Sequence, residues 1–144
     1  MRTVDVTWDQ AAGTFQASGS IAGHDITINA PGTRGEPHTA TGFSAGDLLL
    51  AGMGACAAWD VVEVLRKSRQ EITDCVAEIE AKRAETDPKV FTNIHIHFIV
   101  TGRNLDEKKV QHAIELSATK YCSASIMIGK TAKITHDFEL IKSE

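Results

Sequence analysis

The chain has 144 residues, a formal net charge of −4, 42% hydrophobic and 24% charged residues, which excludes a disordered or collagen-like chain and favours one globular domain over residues 1–144. A chain of this size builds a core without disulfide staples. It has no Lys/Arg run and only 6% aromatic residues, so no basic face or stacking platform supports a nucleic-acid partner.

From the start of the chain, Arg2 to Trp8 alternates, with Val4 and Val6 on one face, and reads as a strand. No apolar stretch follows Arg2, so a secretory signal is not expected and a cytoplasmic location is. Thr14 to Ser18 and Asp25 to Asn29 read as further short strands, joined by turn-rich segments, in an antiparallel meander. Ala30 to Ala45 reads as a long loop with Arg34, Glu36 and His38, and long ordered loops are often functional.

Ser44 is a candidate N-cap, with Asp47 in the first turn of a helix expected to reach about Gln70. Its first half, Leu48 to Trp59, is apolar on all sides, which predicts burial all round. That run is shorter than the roughly 20 residues of a membrane span, so no membrane partner is expected. A chain this short can hardly surround such a helix alone. A homodimer with two such helices packed together is therefore inferred.

Asp74 to Arg83 and Phe91 to Thr101 alternate around a Thr86 to Lys89 turn and predict a hairpin. Asp106 opens a helix with Val110, Ala113, Ile114, Ser117 and Ala118 on one face. Ser123 or Ser125 is expected to cap a short turn through Ile128, and Thr131 to Ile141 reads as the last strand. Strands, long helix, hairpin, helix and strand make an α+β order, not the alternation of a parallel α/β sheet.

Three cysteines are an odd count and no disulfide framework is implied. Cys56, in the apolar helix, and Cys122, after a later helix, can be a redox pair in which one thiolate attacks a peroxide and the other resolves the sulfenic acid. On the residues alone, two small buried hydrophobes are the favoured reading. Cys75, on the apolar side of its strand, is expected in the core. A reactive thiol needs a nearby cation. The sequence around Cys56 has none, so Arg34 on the long loop is the preferred donor, oriented by Glu36 or Asp47 through a bidentate contact. His95 and His97 share a strand face at metal-ligand spacing, but no third ligand stands at a telling position. His136 reads as a polar strand residue. There is no G-x-S-x-G elbow, P-loop or dinucleotide fingerprint, and no cofactor or metal is expected.

Three segments carry a resemblance: Ser44-Ala45-Gly46-Asp47-Leu48-Leu49-Leu50-Ala51-Gly52-Met53-Gly54-Ala55-Cys56, the Phe91 to Gly102 strand, and Lys120-Tyr121-Cys122-Ser123-Ala124-Ser125. Together they resemble the OsmC/Ohr family over nearly the whole chain. Asp60-Val61-Val62 and Ile134-Thr135-His136 look like its YhfA-like branch. The resemblance implies an intertwined α+β homodimer, with antiparallel sheets wrapped around long central helices and two active sites at the interface. It implies reduction of organic hydroperoxides, with Cys56 peroxidatic, Cys122 resolving, Arg34 activating the thiolate, and a dithiol or small thiol as reductant. The peroxidase members carry a Glu ten residues before the first cysteine; Gly46 stands there in this chain, beside Asp47. That departure keeps open a dimeric binding protein for an apolar small molecule, and a thiol redox sensor that passes its disulfide on.

Overall fold

The computed structural model describes residues 1–19, 23–29 and 42–143. It is α+β, as expected, and falls into two compact units, Met1–Leu49 and Leu50–Glu144.

In the first unit, β1 (Asp5–Asp9), β2 (Thr14–Ser18) and β3 (Asp25–Asn29) form an antiparallel sheet in that order. Its register sets Trp8 beside Phe15 and Phe15 beside Ile28. One face is therefore apolar, carrying Val6, Trp8, Phe15, Ala17 and Ile26. Val6, Trp8 and Ile26 on that face are exposed.

A long helix, α1 (Ala45–Lys67), begins where the sequence suggests. The Ser44 hydroxyl accepts the Asp47 N–H at 3.0 Å, so Ser44 is the N-cap. The helix stops at Lys67, short of Gln70, for a geometric reason. Arg69 adopts a left-handed φ of 61°. The Gln70 N–H then reaches back to the Leu65 carbonyl and the Arg69 N–H to that of Arg66, a Schellman closure. Only one stripe of α1 is buried: Met53, Gly54, Ala57, Val61 and Leu65. Leu49, Ala51, Gly52, Ala55 and Trp59 are exposed, so the described residues leave this side of the helix uncovered.

In the second unit, β4 (Glu71–Arg83), β5 (Phe91–Arg103) and β6 (Lys133–Lys142) form a sheet in that order. The β4–β5 hairpin is antiparallel as expected. β6 is parallel to β5, so this sheet is mixed and not wholly antiparallel. The cause is the connection. A parallel neighbour needs a long crossover, and α2 (Glu107–Leu116), a π-helical turn (Ser117–Tyr121) and α3 (Ser123–Ile128) supply it. Asp106 caps α2 by accepting the Lys108 N–H at 2.9 Å.

The core lies on one face of this sheet. Ile94, Ile96, Phe98 and Val100 of β5 pack with Met53, Val61 and Leu65 of α1 and with Val110, Ala113 and Ile114 of α2, all buried. Full burial of each such side chain stabilises by roughly 1.5–3 kcal/mol. Gly54 permits the approach: a Cβ there would lie 2.5 Å from the Ile79 Cδ1 atom of β4.

Candidate functional site

Cys56 and Asp60 are four residues apart on α1 and so share one helix face. Cys122 meets that face from the core cluster. The residue after the π-helical turn, it is the N-cap of α3, in place of the Ser123 or Ser125 expected from the sequence. One atom each from Cys56 Sγ, Cys122 Sγ and the Asp60 carboxylate lie within 4.8 Å of one another. All three cysteines are free thiols.

The two sulfurs sit in different surroundings. Cys122 is fully buried, whereas Cys56 is partly exposed. The Cys122 sulfur accepts the Ser125 hydroxyl at 3.1 Å and the Ser125 N–H at 3.4 Å. Its own S–H points to the Met53 carbonyl at 3.9 Å. Burial raises the Cys122 pKa above the ordinary thiol value; the two Ser125 bonds pull it down, and Cys56 beside it raises it again.

Asp60 is held by Ser117. The buried Ser117 hydroxyl donates to Asp60 Oδ2 at 3.0 Å and lies 3.4 Å from the Ala57 carbonyl. Ser117 opens the π-helical turn, and its carbonyl accepts the Cys122 N–H at 2.9 Å. One residue thus fixes both the carboxylate on α1 and the backbone that aims Cys122. Such π turns recur at functional sites. Asp60 also lines a cleft of about 390 Å³ with Glu63, Val64, Lys67, Leu116 and Tyr121.

The other sequence candidates are placed as follows. Asp47 is exposed in the first turn of α1. Arg34 and Glu36 lie outside the described residues. Cys75 is half-buried against the core, where desolvation and then the Asp74 charge push its thiol up to about 11. His95 and His97 do share one face, and a third group meets them: Asp137 Oδ1 is 2.9 Å from His95 Nε2 and 2.7 Å from His97 Nδ1. The parallel register sets Asp137 beside His97. His136, the sequence neighbour of Asp137, faces the other way and is half-buried, which lowers its pKa. Sequence reading missed Asp60, Ser117 and Ser125 as parts of the sulfur site. The i, i+4 spacing of Cys56 and Asp60 was the one signal available.

The site is thus two free thiols and a carboxylate gathered from α1 and the N-terminus of α3. Residues 37–137 match the family described as OsmC-like protein, and this chain belongs to that family. Protein YhfA of Escherichia coli (strain K12) is 40% identical to it over 122 residues, 85% of this chain and 87% of that protein. A crystal structure of a hypothetical protein from Aquifex aeolicus VF5 superposes with a TM-score of 0.85 at 28% identity, covering 100% of this chain and 98% of that one. The organic hydroperoxide resistance protein OhrB of Bacillus subtilis shares the fold at 18% identity, with a TM-score of 0.66 over 96% of this chain and 98% of that one. By length and composition alone α1 is long and apolar enough to cross a bilayer, and one stripe of it packs into the core of the second unit.

Proposed function

We propose that the chain is a single OsmC-like domain that reduces organic hydroperoxides with Cys56 and Cys122, and that it works in the cytoplasm as a homodimer. The supporting observation is the approach of the two free sulfurs to within 4.8 Å, one partly exposed and one buried. The accessible Cys56 thiolate attacks the peroxide, takes one oxygen as sulfenic acid and releases the alkoxide, which leaves as the alcohol. The Cys122 thiol then attacks the sulfenic sulfur; water leaves and a disulfide forms. A dithiol or small thiol returns both sulfurs to thiols. Arg34 is proposed as the cation that favours the Cys56 thiolate, oriented by Glu36 or Asp47.

The homodimer reading rests on exposed apolar surface. Trp59 and Leu49 of α1 are 56% and 59% exposed, and Trp8 of β1 is 58% exposed. Exposed apolar side chains on each unit are of the kind that mark an interaction face. A second copy covers it in this proposal.

The test is intact-mass analysis of the reduced protein after one equivalent of cumene hydroperoxide, beside hydrogen peroxide. Rapid loss of two hydrogens mapped to Cys56–Cys122, faster with the organic peroxide, supports the reductase. Full peroxide turnover by Cys56→Ser sinks it. One observation favours a second reading, a dimeric binding protein for an apolar small molecule: among the described residues a carboxylate, that of Asp60, stands beside both sulfurs, and its negative charge opposes a thiolate. Thiols unchanged after minutes in peroxide, with an apolar ligand retained in native mass spectrometry, select that reading. Mixed disulfides with protein partners select a redox sensor.

A further inference from the structure

We propose that the reduced protein is also a metal site, in which Cys56 Sγ, Asp60 and Cys122 Sγ together take one thiophilic divalent ion of the Zn²⁺ type. Metal binding itself does not depend on the peroxidase reading; only the release step below rests on it.

Spacing is the first argument. The three donor atoms lie within 4.8 Å of one another. A tetrahedral zinc with Zn–S near 2.3 Å and Zn–O near 2.1 Å holds its ligand atoms about 3.5–3.8 Å apart. Small side-chain rotations close that difference, since two donors lie one turn apart on the same helix. Donor chemistry is the second argument. Two thiolates and a carboxylate select a borderline-soft ion over magnesium or calcium. Three protein ligands leave a fourth position for water or a small thiol, as in exchangeable sites.

The groups behind the donors are the third. Ser117 donates to one Asp60 oxygen at 3.0 Å, which fixes the carboxylate while a second oxygen remains for a metal. Ser125 directs its N–H and hydroxyl at the Cys122 sulfur. Hydrogen bonds of this kind orient ligands and stabilise the charged forms a metal requires. Binding then releases two thiol protons.

A metal here and a disulfide here exclude each other. One organic hydroperoxide and two protons convert the metal dithiolate to disulfide, free Zn²⁺, alcohol and water. The sulfurs lose two electrons and the peroxide gains them. Oxidation therefore ejects the ion, and a bound ion slows the oxidation of the thiols without preventing it.

The experiment titrates the reduced full-length protein with Co²⁺ without oxygen, and then displaces it with Zn²⁺. A sulfur-to-cobalt charge-transfer band saturating at one ion per chain is expected. It should vanish in Cys56→Ser and Cys122→Ser and persist in Cys75→Ser. Asp60→Asn should weaken binding about tenfold or more while circular dichroism shows the fold unchanged. Cumene hydroperoxide should bleach the band as the disulfide forms. Absence of the band in wild type, or its persistence without Cys56, overturns the site. Peroxide oxidation of the metal-free protein is read separately by mass. A band that resists peroxide removes the release step alone and leaves the metal site standing; the reductase reading falls only if the metal-free thiols also stay unoxidised by mass.

Discussion

The Ser117 hydroxyl donates to the Asp60 carboxylate at 3.0 Å, across 57 residues of chain. This bond ties the π-helical turn to α1 and so sets the separation of Cys56 and Cys122. A hydrogen bond to a charged group contributes about 1.5–3 kcal/mol. Asp60 is partly exposed and recovers some of this from water, so Ser117→Ala should cost about 1–2 kcal/mol in urea unfolding. Disulfide formation in that variant should also slow, because Cys122 loses its anchor. A variant with wild-type stability and wild-type oxidation rate would show that the bond positions nothing.

Gly52 separates the isolated chain from the assembled protein. A Cβ at Gly52 meets nothing within 4 Å. In a monomer, Gly52→Ala should therefore stabilise the helix by about 0.8–1 kcal/mol, the ordinary helix-propensity gain. In the proposed dimer this face packs against a second copy, where small residues let backbones approach, and Gly52→Leu should shift the protein towards monomer in sedimentation velocity. If Gly52→Leu keeps the wild-type assembly, α1 is not packed through Gly52.

The histidine face gives a pH signature. Facing His97 are Glu78 from β4 and Asp137 and Glu139 from β6. The hydrogen bond to Asp137 raises the His97 pKa above 6.5, with Glu139 adding to it, and His97 and then His95 lower that of Asp137. A raised histidine pKa stabilises the fold fully below about 6.5, and this contribution is lost as pH rises through the folded value. A depressed Asp pKa stabilises it above about 3.9, and this is lost as pH falls through the folded value. The contribution is therefore largest between about pH 4 and 6.5. Asp137→Asn should lower the His97 NMR titration midpoint and reduce Tm inside that window more than at pH 9. An unmoved midpoint would mean that the contact is absent in solution.

What could be read from the sequence was local. Asp106 announces α2 because its cap and the Val110–Ala113–Ile114 stripe lie within three turns. Ser44 announces α1 for the same reason. The end of α1 could not be read, because it depends on Arg69 adopting a left-handed conformation that its side chain does not favour. Nor could the parallel pairing of β6, on which the meeting of Asp137 with His95 and His97 depends. The family segments pointed to Cys56 and Cys122 as a pair, but a spacing of 66 residues (122 − 56) cannot bring two sulfurs together. The π-helical turn does that, and no periodicity signals it. Asp60 stood out only within the Asp60-Val61-Val62 segment, because its meeting with Cys122 and Ser117 depends on the same long-range packing.

Cys75 provides an internal control for thiol reactivity. Its desolvation on the core side of β4 pushes the thiol up to about 11, so at pH 8 about one molecule in a thousand carries the thiolate there. The thiolate is the nucleophile in alkylation. In native protein at pH 8, iodoacetamide should modify the partly exposed Cys56 well before Cys75, and Cys75 should react only once urea removes its cover. Peptide mass mapping over a time course reads the order directly. Labelling of Cys75 as fast as Cys56 in the native state would mean that β4 opens on the timescale of the reaction, and that its half-buried face does not shield the thiol.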